Sequence, residues 1–244
     1  PLTLTLTNVT QDVVIDADLW PHDVPGEDTR SLTIGSEILI ERSDFEEHPP
    51  KGWRRLAPGC EVRLRHGWVV RCDEVIKDAE GVVIELRGTA DLDTLGAAPV
   101  GRKVRGTIHW LNAEHAVHAK VRLIEHLFDA ELPGATEDID YRSELNANSM
   151  RVIDTARVEP YAAQAARGSR FQFERCGYFY RDPNDEGMVF NRIVGLRDSW
   201  SKAKQPPPRS KSASAQVKSA KPVQSVPVVP AELRLAVDNL VAKG

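Results

Sequence analysis

This 244-residue chain contains closely spaced arginines, whose type and spacing suit the binding of an anionic or polar ligand. Arg54 and Arg55 are adjacent, and Arg63 and Arg65 are separated by one residue. If segment 61–71 is a strand, Arg63 and Arg65 share one of its faces, about 6–7 Å apart. Two guanidinium forks at that distance suit successive phosphates or the edges of an unstacked base. An exposed arginine pair that bridges to nearby glutamates is the alternative, and the residues alone favour it.

Segment 171–175 presents a second group of polar side chains. Phe171 and Phe173 alternate with Gln172, so we expect the rings to face inward and Gln172 to face outward. Gln172 offers both a donor and an acceptor, which is the pattern needed to pair with a uracil edge. Arg175 would point inward on a regular strand, so a bulge or a strand end is needed to expose it. An ordinary strand with polar exterior positions is the alternative.

Other polar residues give weaker signals. His109, His115 and His118 are close in sequence, but no cysteine or carboxylate completes a recognised set of ligands, so we predict no metal site. The carboxylates around Asp138 and Glu144 could form a glycosidase-like pair, but their polar surroundings favour a solvated loop. The chain also lacks the phosphate-loop, dinucleotide-binding, metalloprotease and nucleophile-elbow motifs. We therefore expect no catalytic residue in this chain.

Composition narrows the class of partner. The chain is 41% hydrophobic and 28% charged, and no apolar run approaches the length of a membrane span, so we expect no membrane segment. Its net charge of −4 is uneven, because residues 201–244 hold eight basic and two acidic groups while residues 1–200 hold 24 basic and 34 acidic groups. An acidic body cannot attract nucleic acid in bulk, so any RNA contact must come from local arginine clusters. Three cysteines without a CxxC pair fit a reducing cytoplasm.

Strands must position most of these side chains. The opening LTLTLT alternates apolar and polar residues with the period of a half-buried strand. Residues 78–81 form a glycine-ended turn, and short helices are expected at 42–47, 123–128 and 161–167. Many short strands divided by turn residues predict an all-β fold of barrels or a sandwich. The further candidate strands are 12–16, 32–40, 61–71, 82–87, 103–110, 115–124, 151–154, 171–175, 177–181 and 188–195.

The composition changes after residue 203. Residues 204–230 are rich in Pro, Ser and Lys without apolar periodicity, which predicts a flexible, disordered linker. Residues 231–244 place Leu233, Val237 and Leu240 on one helical face. A one-faced terminal helix cannot bury itself, so we predict the first helix of a truncated appended domain and expect both ends of the chain to be cut.

Several segments together resemble the C-terminal anticodon-binding region of glutaminyl-tRNA synthetases, over about residues 1–204. They are IERSDF at 40–45, KDAEG at 77–81, ADLDTL at 90–95, GRKVRGTIHW at 101–110 and FNRIVGLRD at 190–198. The resemblance implies two stacked β-barrels within residues 1–203, one proximal and one distal to a catalytic domain. It also implies that the anticodon loop lies against both barrels, with its bases splayed into separate pockets.

The resemblance assigns tRNA anticodon contacts to seven positions of this sequence: Arg54, Arg55, Arg63, Arg65, Gln172, Arg175 and Arg197. The first two match the pair that reads the third anticodon base, and the next two match the arginines around the first base. Gln172 and Arg175 match the residues at the central uracil and its neighbour. Arg197 is expected to hold the RNA or the barrel itself. The family often has Tyr-Lys-Arg where this chain has Trp53-Arg54-Arg55, which keeps the charge but changes the geometry of the fork.

The implied function is recognition of the tRNA-Gln anticodon by a glutamine–tRNA ligase. The His-x-Gly-His and Met-Ser-Lys motifs that grip ATP in class I synthetases are absent. We therefore expect no cofactor here, with ATP and Mg²⁺ bound by a separate N-terminal catalytic domain. The expected partners are tRNA-Gln and that catalytic domain, in a cytoplasmic monomer. A glutamyl-tRNA synthetase of archaeal or eukaryotic type, a stand-alone RNA-binding β-barrel protein and a β-rich sugar-cleaving enzyme are the alternatives.

Overall fold

The computed structural model describes residues 1–20, 28–135 and 140–196. Within these ranges the chain forms fourteen strands, one short α-helix, α1 (Pro160–Gln164), and three 3-10 turns. Among these residues, no helix combines the length and the hydrophobicity of a membrane-spanning segment. The strands are β1 (Leu2–Leu6), β2 (Val13–Asp18), β3 (Thr29–Ile34), β4 (Glu37–Ile40), β5 (Glu61–Leu64), β6 (Val69–Lys77), β7 (Val83–Asp91), β8 (Thr107–Ile108), β9 (Trp110–Asn112), β10 (Val117–Ile124), β11 (Met150–Val158), β12 (Arg170–Phe173), β13 (Gly177–Arg181) and β14 (Val189–Gly195).

The first sheet nearly closes into a barrel. Its seven strands follow the order β8-β5-β6-β7-β1-β4-β9. The two end strands, β8 and β9, are separated in sequence only by His109, and they pair with β5 and β4 respectively. The indole N–H of Trp110 donates to the carbonyl oxygen of Arg65 at 2.8 Å near this point. One continuous stretch of chain therefore joins the two ends of the sheet and leaves little free edge.

The interior of the first barrel follows from side-chain alternation. Leu2, Leu4 and Leu6 of β1 are buried, whereas Thr3 and Thr5 lie on the outer side. β1 lies inside the sheet, antiparallel to β4 and parallel to β7, so its leucines reach the centre of the core. Burial of each such side chain contributes about 1.5–3 kcal/mol.

A separate two-stranded ribbon covers part of this core. β2 and β3 pair antiparallel over their full lengths. Ile34 is fully buried, and Val13, Ile15 and Leu32 pack against the same cluster. The ribbon also carries Arg30, which reaches across to the second sheet.

The second sheet has the strand order β11-β10-β14-β13-β12 and its own core. Aromatic rings fill that core, with the ring centroid of Phe173 4.7 Å from that of Phe179 and 5.3 Å from that of Phe190. Aromatic pairs of this kind stabilise the fold by more than the burial of their apolar area alone would. Helix α1 adds the buried Ala162 and starts with Pro160, the residue type that suits a first helical position.

The predicted all-β class, with two β units and few helices, is confirmed. The turn at 78–81 is also confirmed: Asp78 N–H donates to Val82 O at 2.9 Å, and Gly81 has a φ of +82°. The left-handed backbone at that position favours glycine.

Several predicted boundaries are wrong. Segment 61–71 is two strands, because His66 adopts a left-handed φ of +60° and the chain reverses there. Segment 32–40 is likewise divided between β3 and β4, and 103–110 is strand only from Thr107. No helix forms at 123–128, where β10 continues to Ile124, and 42–47 contains only a 3-10 turn, Arg42–Asp44. The predicted linker, the terminal helix and Arg197 lie outside the described residues.

Candidate nucleic-acid interface

A groove of about 640 Å³ opens on the surface of the first barrel. Its lining comes from residues within segment 49–61, from segment 103–106 and from one side chain of β6. Five basic side chains and one carboxylate take part: Arg54, Arg55, Arg71, Lys103, Arg105 and Glu61. This excess of cations suits an anionic ligand, although the whole chain is net acidic.

Gly106 brings the two walls of the groove together. A Cβ atom at Gly106 would lie 1.8 Å from the carbonyl oxygen of Arg54, so a larger residue would force the two backbones apart. The carbonyl oxygen of Gly106 also accepts a hydrogen bond from the N–H of Arg63 at 2.9 Å, which ties the segment to β5. The backbone that carries Lys103 and Arg105 is therefore held against the backbone of Arg54.

Three cations of the groove have no partner among the described residues. The side chains of Arg54, Lys103 and Arg105 are exposed, and none makes an ion pair or hydrogen bond within that part of the chain. Their charge is therefore available to a ligand without breaking a protein contact.

The other charges of the groove are compensated by neighbouring groups. Arg71 Nε lies 2.5 Å from Asp73 Oδ1. The groove carboxylate Glu61 holds Arg102 at 2.9 Å, and Arg102 also contacts Asp91 at 2.5 Å. Glu61 therefore cancels little of the positive charge that Arg54, Lys103 and Arg105 present.

Arg55 is held much more firmly than Arg54. Its Nη1 donates to Ser43 O at 3.0 Å, and its Nε lies 3.6 Å from Asp44 Oδ1. The guanidinium carbon lies 5.6 Å from the ring centroid of Trp53, whose indole N–H donates to Leu56 O at 3.0 Å. Only 13% of the Arg55 side chain is exposed. Arg54 and Arg55 are thus adjacent in sequence but differ in freedom.

Arg63 and Arg65 also differ. The guanidinium of Arg63 donates to three backbone carbonyls, those of Gly67 at 3.1 Å, Thr94 at 2.9 Å and Ala97 at 2.6 Å. It therefore fastens the loop after β7. Arg65 lies just beyond β5, is half exposed, and has its Nε 3.5 Å from Glu174 Oε2. For Arg65, the structure therefore shows the alternative that the sequence analysis favoured before the family resemblance was considered, an exposed arginine that bridges to a nearby glutamate.

Gln172 and Arg175 come from the second sheet. Gln172 lies in β12, is exposed as predicted, and its side chain makes no hydrogen bond among the described residues. β12 ends at Phe173, and Arg175 adopts a left-handed φ of +63° in the turn to β13. The predicted strand end is therefore present. It directs Arg175 to the first barrel, where it forms an ion pair with Asp44 and donates to Thr107 O at 3.4 Å.

A second ionic contact joins the two sheets. Arg30 donates from Nε and Nη2 to the two carboxylate oxygens of Glu159, at 2.6 and 3.2 Å, and His109 Nε2 lies 3.6 Å from the same carboxylate. Burial alone would raise the pKa of Glu159, but hydrogen bonds and charge from His109 and Arg30 outweigh it and lower the pKa to about 2. Glu159 is therefore ionised at any physiological pH.

The remaining candidates are placed apart. The three histidines do not form a ligand group among the described residues; His115 instead lies near Asp12 and Glu114, all three exposed. Of the predicted acidic loop, Glu144 accepts a hydrogen bond from Gly134 N–H at 2.7 Å, and residues 136–139 lie outside the described part.

Two family models match, and together they cover every strand of the first sheet and four of the five strands of the second. Each is described as the anticodon-binding domain of class I tRNA synthetases (E and Q); one covers residues 1–91 and the other residues 107–182. The chain therefore belongs to the family of anticodon-binding domains of class I E and Q tRNA synthetases, as its sequence segments predicted.

Curated relatives carry a more specific name. Proteins called glutamine–tRNA ligase from Chromobacterium violaceum, Neisseria meningitidis and Pseudomonas aeruginosa are 47%, 49% and 47% identical to the chain. Each match covers 82% of this chain. The chain spans 37% of the length of these relatives.

Sequence reasoning missed three residues at or next to the candidate site. Lys103 and Arg105 lie in GRKVRGTIHW, but nothing local distinguishes a groove cation from any exposed one. Asp44 lies in IERSDF, and its pairing with arginines 11 and 131 positions away leaves no sequence period. The match of both segments to the family was the only signal that could have drawn attention to them.

Proposed function

We propose that this chain reads the anticodon loop of tRNA-Gln as part of a glutamine–tRNA ligase. The proposal rests on the family, on the name of the relatives and on one observation, the groove in which Arg54, Lys103 and Arg105 lack partners among the described residues. Single-stranded loops expose bases and phosphates that a cationic groove can engage.

The groove supplies affinity in this proposal. Each phosphate neutralised by a single-strand binder contributes about 0.7 to the slope of log K against log salt. Three unpartnered cations therefore predict a slope of about −2 from the groove alone. Residues 1–200 add no bulk attraction, because they hold 24 basic and 34 acidic groups.

Polar groups around the barrel junction supply base selectivity. Gln172 presents a donor and an acceptor from the outer side of β12, which matches a uracil edge. Arg65 is half exposed next to Glu174, two residues from Gln172 in the chain. A wrong base would leave such groups without partners, at a cost on the order of 1–3 kcal/mol for each lost pair.

Arg55, Arg63 and Arg175 differ from Arg54 because their side chains already contact other protein groups. Each already donates to protein oxygen atoms. Because a guanidinium has five N–H donors, one such group can contact protein and a ligand at the same time. We infer that Arg63 contributes mainly by holding its loop, whereas Arg55 and Arg175 combine support with contact.

The complete protein would join this recognition to aminoacylation. ATP, Mg²⁺, glutamine and the tRNA acceptor end would be handled by a catalytic domain N-terminal to this chain, in a cytoplasmic monomer. A glutamyl-tRNA synthetase is the second candidate, because the matching family description names both E and Q enzymes.

The test is a titration of this chain against tRNA-Gln transcripts at two salt concentrations. The tRNA-Gln transcript with its natural anticodon is compared with one that carries a changed central anticodon base and with a tRNA-Glu transcript. We expect the tightest binding to tRNA-Gln with its natural anticodon, and an affinity lower by on the order of tenfold or more for the transcript with the changed base.

Two variants make the result specific. Gln172→Ala should reduce the preference for the central base, whereas Thr5→Ala, on the outer side of β1, should leave it unchanged. Equal binding to all three transcripts would leave only phosphate attraction and would refute anticodon reading. Preference for tRNA-Glu would favour the glutamyl enzyme.

A further inference from the structure

Asp44 occupies the point where the two sheets and the groove meet. It ends the 3-10 turn Arg42–Asp44 and is completely buried. Its backbone is fixed on both sides, because Asp44 N–H donates to Glu41 O at 2.8 Å and Asp44 O accepts from Leu56 N–H at 2.9 Å. The second bond attaches the turn directly to the residue after Arg55.

One oxygen of Asp44 serves two arginines from different parts of the chain. Oδ1 lies 3.6 Å from Arg55 Nε and also forms the ion pair with Arg175 Nη2. Arg55 lines the groove of the first barrel, and Arg175 comes from the turn between β12 and β13. Oδ2 is buried and makes no hydrogen bond within the described residues.

The surroundings of Asp44 make this arrangement hard to relax. Burial raises the pKa of Asp44, and nearby Glu41 adds to that effect, while Arg175 and Arg55 oppose it. Glu41 is itself occupied, since its Oε1 accepts from Cys176 Sγ at 2.8 Å. A buried carboxylate that lost either arginine would be left poorly compensated, so the guanidinium positions are tightly constrained.

We propose that Asp44 is a positioning residue for anticodon recognition, which holds the guanidinium groups of Arg55 and Arg175 at fixed places beside the RNA. The inference rests on the proposed function. It adds that recognition of two anticodon positions is coupled through one carboxylate. Asp44 itself touches no RNA, because its side chain is fully buried.

The experiment compares this chain with its Asp44→Asn variant on three transcripts: tRNA-Gln, tRNA-Gln with a changed central base and tRNA-Gln with a changed third base. Asparagine keeps the shape and one acceptor but removes the charge that orients both arginines. We expect discrimination to fall about tenfold at both positions together. The matched control is Asp73→Asn, which removes the carboxylate paired with Arg71 at the groove and should leave both ratios unchanged.

The outcomes separate the inference from the proposed function. If the parent chain shows no base preference, both fail. If the parent chain discriminates and Asp44→Asn discriminates equally well, Asp44 has no positioning role while anticodon reading stands. A purely structural role would lower affinity for all three transcripts by the same factor and keep their ratios, which also rejects the inference.

A double-mutant cycle covers the case in which Asp44→Asn does not fold. Arg55→Ala and Arg175→Ala are measured singly and together against the same transcripts. Because both arginines depend on Asp44, their effects on discrimination should be non-additive, with each single variant already reducing preference at both positions. Independent effects, one position per arginine, would overturn the proposal.

Discussion

Arg30 and Glu159 form a two-pronged contact between the β2–β3 ribbon and the second sheet, with N–O distances of 2.6 and 3.2 Å. Both side chains are largely buried, and His109 approaches the same carboxylate. The two sheets are thus joined by charged groups at this contact and again at Asp44 and Arg175. Their relative placement therefore depends on ionisation.

This contact predicts a pH dependence of stability. The pKa of Glu159 is about 2 in the folded chain and 4.5 in the reference state, so the folded state binds fewer protons between these values. The stabilisation is complete above about pH 4.5 and is lost as the pH falls toward 2; it amounts to on the order of 2–4 kcal/mol. Urea unfolding at several pH values, for the parent chain and for Glu159→Gln, measures it.

The difference between those two chains should be greatest near pH 6 and shrink below pH 4.5. Glu174→Gln is the control, because its partner Arg65 is half exposed and such pairs contribute little. A difference that stays constant down to pH 3 would contradict the assigned role of Glu159.

Lys103→Ala tests the groove cations. Loss of one phosphate contact should weaken tRNA binding severalfold at low salt and make the salt slope shallower by about 0.7. Base preference should not change, since a phosphate contact carries no sequence information. Fluorescence titration across a salt series measures both quantities. Lys77→Ala, which removes a cation already paired with Glu47 at 2.7 Å, should leave the slope as it was.

Gly106→Ala tests the close approach of the groove walls. The added methyl group would meet the Arg54 carbonyl oxygen, so the backbones must separate, at about 1–3 kcal/mol of stability. Binding should weaken although no charge is removed. Thermal unfolding and tRNA titration provide the two readouts. At Gly195 a Cβ would meet only ordinary contacts at 3.7 Å, so Gly195→Ala should preserve stability; equal behaviour of the two variants would argue against the steric explanation.

Arg63→Ala separates loop support from base reading. It removes hydrogen bonds to the carbonyls of Gly67, Thr94 and Ala97, and charged donors of this kind contribute about 1.5–3 kcal/mol each at most. We expect a clear drop in urea stability, larger than that for Arg65→Ala. Reduced affinity with unchanged stability would instead make Arg63 a direct reader of the first base.

The fold was predictable from the sequence where it depends on interactions between residues close together in the chain. Alternation in LTLTLT gives β1 its buried leucines, and the glycine at position 81 ends its turn in the conformation expected. The split of segment 61–71 was missed although the alternation of polar and apolar residues stops at His66, where Arg65 and His66 are both polar and Trp68, Val69 and Val70 are all apolar. A His-Gly pair is a weaker turn signal than Asn-Gly or Asp-Gly, so the break in period did not by itself indicate that the chain reverses.

The sequence indicated which residue types could line the candidate site, but not which of their side chains are already engaged by other protein groups. Arg54 is exposed, whereas the guanidinium of Arg63 donates to carbonyls of a loop about 30 residues further along the chain. Gly106 acquires its importance only from the approach of Arg54. Such contacts arise from the closed sheet, so no local window of sequence contains them.

The position of β1 has a consequence for how the chain folds. Thr3 pairs with Leu39 on one side and with Glu85 on the other, and the second pairing is parallel. At ~5–20 residues per second, a ribosome needs roughly 4–16 s to make the intervening segment. During that time the leucine face of β1 lacks its second neighbour. Long-range pairing of this kind slows folding, so the first barrel should form late and as a single cooperative unit rather than strand by strand.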